Sequence, residues 1–285
     1  MSERSVRPVQ GAALLAVSAL LFSIMGVLIR EASATVNNEN IVFFRNLIGV
    51  VFFLPLILSR GLRPLKTQRL KSHLMRTSYG LAAMYCFFYA IAHLPLTDAM
   101  LFTYSAPIFT PIIAYLWLKE PLTKRMLAFS LLGLMGVILV AKPSAAIFNS
   151  LSLVGLAASI LAATAFVSIR EMSDTEPAFR MVFYFSFFSS LISAVPLLWA
   201  WQPLSSEQLI LLCAAGLMAA FAQIIMSRAY SLAPPGLIGP VAYLAIIFAG
   251  IFSLLRWGEV PDLTSIVGAV LIFSASILTL LLRKH

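Results

Sequence analysis

An internal repeat of about 140 residues constrains this 285-residue chain more than any other feature. The matching positions are Ile-Arg-Glu at 29–31 and at 169–171, Tyr104 and Tyr243, and Glu120 and Glu259. Such a repeat predicts two copies of one structural unit that pack on each other. We place the copies at residues 1–143 and 144–285.

The composition predicts that both copies lie in a membrane. The chain is 61% hydrophobic and only 11% charged, more apolar surface than a soluble domain of this size could bury. A spanning helix needs about 20 apolar residues. Ten such segments are predicted, at 11–30, 37–59, 72–92, 97–118, 124–141, 152–170, 178–200, 207–229, 236–256 and 263–282. The expected fold is an all-α membrane protein.

Five spans in each copy determine how the copies are oriented. A five-span unit that starts in the cytoplasm ends outside, so the second copy must run inverted. Two inverted five-helix repeats are typical of alternating-access transporters, whose substrate site lies between the halves. A phosphate-binding glycine loop is absent from the sequence, so ATP is not the expected energy source.

The basic residues predict the topology. Most of the 20 Lys and Arg fall at the N-terminus, at the C-terminus and in alternate loops, whereas the opposite side holds Arg30, Lys142 and Arg256. By the positive-inside rule both termini are cytoplasmic. The basic loop between spans two and three, from Arg60 to Arg76, is interpreted as the main topology anchor. The net charge of +9 therefore faces lipid head groups, and nucleic acid is not an expected partner.

Short motifs within this architecture resemble a known group. These are Phe43-Phe44-Arg45-Asn46 in span two, Glu120-Pro121-Leu122-Thr123 after span four and Gly258-Glu259 after span nine. Together with ten spans they resemble the drug/metabolite transporter superfamily, EamA type. The resemblance implies a bacterial inner-membrane exporter of small metabolites, similar to exporters of aromatic or bulky neutral amino acids. It also implies that spans one, three, four, six, eight and nine line a central cavity, with five and ten peripheral.

The acidic residues bear on the driving force. All 11 Asp and Glu lie near span ends or in loops, whereas proton-coupled carriers usually keep a carboxylate within the membrane. Movement down a substrate gradient, or exchange, is therefore expected. A proton-coupled multidrug or xenobiotic exporter is the alternative. A monomer would suffice for either, and the sequence leaves the oligomeric state open.

Six residues are the candidate substrate ligands. Arg45 is the one clear charge within a span; it could bind a substrate carboxylate or act as a structural clamp. Gln223 lies in span eight among small residues that permit close helix approach. Tyr104 and Tyr243 are repeat mates, and Tyr79 and Phe102 add aromatic surface; these rings could equally serve helix packing. The predicted set is Tyr79, Tyr104, Gln223, Tyr243, Phe102 and Arg45.

Other polar residues are assigned structural roles. Glu120 and Glu259 each precede a helix, for which Thr123 and Asp262 are plausible N-caps. Pro107, Pro111 and the glycines near Pro240 mark where spans four and nine could bend. The sequence contains no catalytic constellation and no Cys/His spacing suited to a metal, so an enzyme, a metal site and a cofactor are not expected. A structural or signalling membrane protein without a cavity stays open.

Overall fold

The computed structural model describes residues 7–93, 101–102, 104–142 and 152–281, which form helices and turns without a strand. The helices, in chain order, are α1 Pro8–Ala32, α2 Asn38–Val51, α3 Leu54–Arg60, α4 Leu70–His93, α5 Ala106–Leu118, α6 Lys124–Ala141, α7 Ser152–Met172, α8 Ala178–Ser193, α9 Leu197–Ala200, α10 Ser206–Leu232, α11 Pro235–Ile238, α12 Leu244–Trp257 and α13 Leu263–Leu281. Two 3₁₀ turns, Arg63–Leu65 and Gly239–Tyr243, complete the regular structure. The start of the predicted fourth span lies outside the described residues.

The apolar helices identify a membrane protein. Over the described residues, six helical segments are long and apolar enough to cross a bilayer: Pro8–Ala32, Asn38–Arg60, Lys124–Ala141, Ser152–Met172, Ser206–Leu232 and Pro235–Trp257. Shorter apolar helices occupy Ala106–Leu118, Ala178–Ser193 and Leu263–Thr279. The helix α4 is long but begins with polar residues. The count of ten spans stays a prediction.

One residue assigned to the basic loop is buried between helices. Arg76 was expected in the cytoplasmic anchor, but it sits in the second turn of α4 with 3% of its surface exposed. That prediction was wrong because α4 begins at Leu70, so position 76 faces neighbouring helices. Arg63 and Arg60 stay exposed, as a loop anchor requires.

Both predicted N-caps are confirmed. The Thr123 hydroxyl accepts a hydrogen bond from the backbone N–H of Met126 at 3.2 Å. The Asp262 carboxylate accepts one from Ser265 N–H at 3.0 Å. Each satisfies an N–H group that the first helical turn leaves without an intrahelical acceptor. The helices α6 and α13, the last of each copy, therefore start at matching positions.

Proline and glycine break the spans where expected in one case and unexpectedly in two others. The predicted ninth span contains the 3₁₀ turn Gly239–Tyr243 between α11 and α12, which confirms the break. The predicted second and seventh spans are also broken, between α2 and α3 beside Pro55 and between α8 and α9 beside Pro196. Proline has no N–H for the helical hydrogen-bond ladder, which explains the interruption at these two points although it was not predicted from the sequence.

The helices of the two copies interleave. Helices of the first copy pack mainly on helices of the second: α1 on α10, α4 on α7, α2 on α8 and α10, and α6 on α13. The pair α5 and α7 mirrors the pair α12 and α1. Each half therefore packs apolar surface against the other half.

Glycine allows the closest of these contacts. A Cβ added at Gly136 of α6 would lie 2.6 Å from the carbonyl oxygen of Gly268 in α13, and the converse distance is also 2.6 Å. A Cβ at Gly216 of α10 would lie 2.6 Å from Ile48 of α2. Small residues let helix backbones touch in a membrane, where packing rather than water exclusion drives association.

Candidate functional site

A buried ion pair joins the two copies at one end of the bundle. Arg170, at the end of α7, donates from Nε to Glu120 Oε1 at 3.0 Å, with side-chain exposures of 3% and 16%. Its Nη1 donates to the carbonyl oxygens of Tyr230 at 3.1 Å and Ser231 at 2.9 Å. The guanidinium thus ties together the ends of α5, α7 and α10.

A matching ion pair is exposed. Arg30, at the end of α1, donates from Nη2 to Glu259 Oε1 at 2.7 Å, and the two side chains are 52% and 51% exposed. The guanidinium carbon of Arg30 lies 4.0 Å from the ring centre of Trp257. Hydrogen bonds from Arg30 and Ser253 lower the pKa of the Glu259 carboxyl to about 2.

The two pairs are reciprocal in the repeat. Arg30 and Arg170 occupy matching positions, as do Glu120 and Glu259. Each arginine nevertheless pairs with the glutamate of the other copy. We call them the exposed inter-copy pair (Arg30–Glu259) and the buried inter-copy pair (Arg170–Glu120). The internal repeat in the sequence identified all four residues but not their pairing. Partners so far apart in the chain, more than 200 residues for Arg30 and Glu259, leave no local pattern that would reveal the contact.

The pairs lie at opposite ends of α1. The backbone N–H of Arg7 donates to the Leu232 carbonyl oxygen at 2.8 Å, and Arg170 donates to the adjacent Ser231 carbonyl. The start of α1 and the end of α7 therefore meet at one end of the bundle. Arg30 lies 23 residues along α1, roughly 35 Å away at about 1.5 Å per residue.

A second cluster of charge lies deep between α2, α4, α8 and α10. Arg76 donates from Nη2 to Gln223 Oε1 at 3.1 Å and from Nη1 to the Met181 carbonyl oxygen at 3.5 Å. Its guanidinium carbon lies 4.5 Å from the centre of the Phe185 ring. The Nε atom is buried without a hydrogen-bond partner. We call Arg45, Arg76 and Gln223 the two-arginine cluster.

Arg45 belongs to this cluster because a small cavity joins it to Gln223. Its Nη1 donates to Asn46 Oδ1 at 3.4 Å and contacts Met84 Sδ at 3.8 Å, both weak interactions. The cavity has about 10 Å³, the space that about one water needs. It is lined by Arg45, Asn46, Gly49, Phe185, Ser186, Ala219, Ala220 and Gln223. The structure thus brings together two of the predicted ligands, Arg45 and Gln223, and adds Arg76.

The predicted tyrosine pair lies elsewhere. Tyr243 is fully buried, and its hydroxyl donates to the Ser130 carbonyl oxygen at 3.1 Å. Its ring packs where a Cβ on Gly133 would lie only 2.4 Å away. Tyr104, half-buried, packs against the same cluster of Leu101, Val137, Tyr243 and Ile272. In this conformation both rings are part of the packing between α6, α12 and α13.

Tyr79 and Phe102 lie on other surfaces. The Tyr79 ring, half-buried, meets Trp117 edge-on with centroids 6.3 Å apart. Phe102 packs on Gly155 of α7, and its carbonyl oxygen accepts a hydrogen bond from Ser159. The six predicted ligands therefore do not meet in one place in this conformation, and their role stays a prediction.

A buried acidic residue lies near the basic loop. Glu176, before α8, accepts hydrogen bonds from Thr67 at 2.7 Å and Arg180 at 3.0 Å, and lies 3.3 Å from His73 Nε2. Burial opposes ionisation of this carboxyl, but the hydrogen bonds from Thr67, Arg180 and His73 outweigh it and lower its pKa. Glu176 therefore stays charged and fastens the basic loop to α8. Among the described residues no group of His, Cys, Asp or Glu could hold a metal ion.

Comparison with known proteins agrees with this architecture. The model of the EamA-like transporter family matches the chain twice, at residues 9–142 and 149–281. The chain is 33% identical over 270 residues to the pseudopaline exporter CntI of Pseudomonas aeruginosa (strain UCBPP-PA14), covering 94% of each protein. It is 25% identical over 262 residues to an S-adenosylmethionine uptake transporter of Rickettsia prowazekii (strain Madrid E), covering 92% of this chain and 89% of that protein.

A solved structure shares the fold. It superposes with a TM-score of 0.82 and covers 96% of this chain and 97% of its own, at 18% identity. At that identity the likeness concerns the arrangement of helices alone.

Proposed function

The chain belongs to the EamA-like transporter family, and from that premise we propose that it exports small organic metabolites across a bacterial inner membrane by alternating access, without ATP. One relative is an exporter and another an uptake transporter. Export is favoured because the exporter has the higher identity of the two, 33% against 25%.

The reciprocal inter-copy pairs carry this proposal. In alternating access, one end of the carrier closes while the other opens. Two inverted five-helix repeats give each end an equivalent closing contact, and the two inter-copy pairs join equivalent residues at opposite ends of α1. Their different exposure supports a state in which the Arg170–Glu120 end is closed. At the other end, the side chains of Arg30 and Glu259 are more exposed than those of the buried inter-copy pair.

Amino acids, aromatic or bulky and neutral, are the proposed substrates. Tyr79, Trp117 and Phe102 supply aromatic surface near α4 and α5, and Arg45 and Gln223 supply polar groups. Tyr104 and Tyr243 would join this lining only when α12 moves relative to α6. The lining of the cavity by all six predicted residues is therefore a proposal about a more open state.

Both termini are proposed to be cytoplasmic and the surrounding partner is the lipid bilayer. Arg7, Arg69, Arg170 and Arg180 cluster at the end of the bundle that carries the basic loop, which supports this orientation. The oligomeric state does not enter the mechanism, because one chain contains both gating pairs.

The driving force is proposed to be the substrate gradient or exchange. Along the described helices, acidic side chains lie at or near helix ends rather than mid-helix, so a membrane-embedded proton carrier is not in evidence there. Purified protein in liposomes tests this. Radiolabelled amino acids should show counterflow, and a pH gradient alone should not concentrate them. Uphill accumulation driven by the pH gradient would support the proton-coupled multidrug alternative instead.

Reversible cross-linking tests whether the exposed inter-copy pair acts as a gate. In a chain with Cys86 and Cys213 replaced by Ala, Arg30→Cys with Glu259→Cys, bridged by a thiol-specific linker, should stop transport, and reduction should restore it. The matched control is Lys142→Cys with Asp262→Cys, an exposed ion pair at the same end that joins α6 to α13. Bridging the control pair should leave transport unchanged. Equal inhibition by both bridges would remove the support for a gate at Arg30.

A further inference from the structure

We propose that the two-arginine cluster of Arg45, Arg76 and Gln223 binds the carboxylate of the transported solute. This inference rests on the proposed function, which it deepens by making a carboxylate the required feature of the substrate. It adds Arg76, which the sequence placed in a surface loop, as a residue that contacts substrate.

The charge of Arg76 is the first observation. A guanidinium keeps its charge at any ordinary pH, and a buried charge is costly unless an opposite charge neutralises it. Arg76 is 3% exposed and forms no ion pair with the described acidic residues. Gln223 and a backbone carbonyl give it hydrogen bonds but no negative charge.

Structural arginines in this chain are neutralised differently. Arg170, equally buried, has Glu120, and Arg180 has Glu176 at 3.0 Å. Both lie near helix ends, where they fasten one segment to another. Arg45 and Arg76 differ from them because neither meets an acidic side chain of the described residues. Among the described residues, the cluster thus has two positive charges and no acidic side chain that would balance them.

The geometry provides the second observation. Arg76, Gly80 and Met84 are spaced by four residues and lie on one face of α4. Arg76 contacts Gln223, Gly80 faces the Phe185 ring, and Met84 contacts Arg45. Arg76 thus projects from α4 itself, and Arg45 of α2 reaches the same face of α4 about two turns farther along, at Met84. A carboxylate that entered beside Gln223 could accept hydrogen bonds from Arg76 and, once the cavity widens, from Arg45 as well.

The cavity at this place identifies the side chain that must move. Its volume of about 10 Å³ is too small for an amino acid. Phe185 lines it, lies 4.5 Å from the Arg76 guanidinium carbon and would be 2.9 Å from a Cβ at Gly80. Displacement of the Phe185 ring away from Gly80 would extend the cavity from Arg45 and Gln223 toward Arg76. Gly80 leaves room for that ring in the closed arrangement.

Thermal unfolding of the protein in lipid nanodiscs tests the site with two pairs of probes. Phenylalanine is compared with phenylalaninamide, and glutarate with glutaramide, at equal ionic strength set with chloride. A ligand that binds only the folded state raises the unfolding temperature. We expect each acid to raise it and each amide to leave it unchanged. The proposal is wrong if neither acid stabilises the protein, or if the amides stabilise it equally.

Charge-removing variants locate the binding. Arg76→Gln and Arg45→Gln should weaken binding of the stabilising acid about tenfold to a hundredfold, the effect of losing a hydrogen bond to a charged group. Arg228→Gln is the matched control, because Arg228 is exposed on α10 little more than one turn from Gln223. It should bind as the unsubstituted chain does. Equal weakening in the control would show that only overall charge matters.

The sign of the stability change separates this role from a structural one. Without probe, Arg76→Gln should unfold at the same or a higher temperature, because it removes a buried charge that lacks a counter-ion. A clear fall in that temperature, with acid binding retained, would make Arg76 a structural clamp and overturn the proposal.

Counterflow distinguishes this inference from the proposed function. If acid binding depends on Arg76 but no flux is measured, the carboxylate site is supported and the transport proposal is wrong. If flux persists in Arg76→Gln with unchanged affinity, the transport proposal is supported and the carboxylate site is wrong.

Discussion

Arg170 and Glu120 come from different copies of the repeat and form a 3.0 Å ion pair that the surrounding helices bury. Their repeat mates, Arg30 and Glu259, also come from different copies and pair at 2.7 Å, but half of each side chain is exposed. The same chemistry therefore occurs in two environments within one chain, which provides internal controls for its effects.

Loss of one partner should be far more damaging in the buried pair. We expect Glu120→Ala to lower the free energy of unfolding by roughly 3–5 kcal/mol, because it removes a carboxylate that neutralises a buried guanidinium. Glu259→Ala should lower it much less, since solvent can take over part of the lost interaction at this exposed pair. Denaturant or thermal unfolding in detergent measures both. Equal losses would mean that burial does not separate the two pairs.

The exposed pair should weaken only in strong acid. The pKa of Glu259 is lowered to about 2 from an ordinary value of 4.5. Its contribution to stability is therefore fully present above about pH 4.5 and is lost as the pH falls toward 2. Between pH 4.5 and 3, the unfolding temperature of Glu259→Gln should fall less than that of the unsubstituted chain. If the unfolding temperatures of the two proteins fall in parallel between pH 4.5 and 3, the exposed pair does not lower the pKa of Glu259.

The contact between Gly136 and Gly268 should tolerate no added carbon. We expect Gly136→Ala to cost about 1–3 kcal/mol, because its Cβ would lie 2.6 Å from the Gly268 carbonyl oxygen and force α6 and α13 apart. Gly26→Ala is the matched control, since a Cβ there meets nothing within 4 Å. It should be neutral or stabilising by about 0.5–1 kcal/mol. Unfolding temperatures of the two variants decide the matter.

Tyr243 and Tyr79 should respond differently to truncation. Tyr243→Ala removes a fully buried ring, so we expect a loss of about 3–5 kcal/mol in stability. Tyr79 is half-buried, and Tyr79→Ala should cost less stability while lowering transport per folded molecule about tenfold. Counterflow normalised to folded protein checks the second effect. Normal counterflow in Tyr79→Ala would exclude Tyr79 from the cavity lining.

The sequence predicted local features of this fold and missed the distant ones. The N-caps Thr123 and Asp262 and the break near Pro240 follow from residues a few positions apart, so their chemistry is visible in the chain. The pairing of Arg170 with Glu120 depends on how the copies pack, and no local pattern encodes it. Arg76 was misplaced because a cation beside a basic loop looks like part of that loop until the helix start is known.

In the candidate site, too, the sequence pointed to individual residues but not to the contacts between distant ones. Arg45 and Gln223 were proposed because polar residues are rare within apolar spans, and both line one small cavity in the structure. Tyr104 and Tyr243 were paired by the repeat alone. Repeat symmetry predicts that they share a depth, but it does not predict which helix each ring faces, and Tyr243 faces Ser130 of α6.

Because each copy packs on the other, helices of the first copy are synthesised before the helices on which they pack. α1 is complete at Ala32, but α10, on which it packs most, begins only at Ser206. At about 5–20 residues per second, a ribosome needs roughly 9–35 s to reach that point. During this interval Ser18, whose hydroxyl later donates to the Ala222 carbonyl oxygen, must find another acceptor. The first half of a nascent chain is thus an incomplete surface awaiting its counterpart, and a product truncated between the copies would offer that surface to chaperones and membrane proteases.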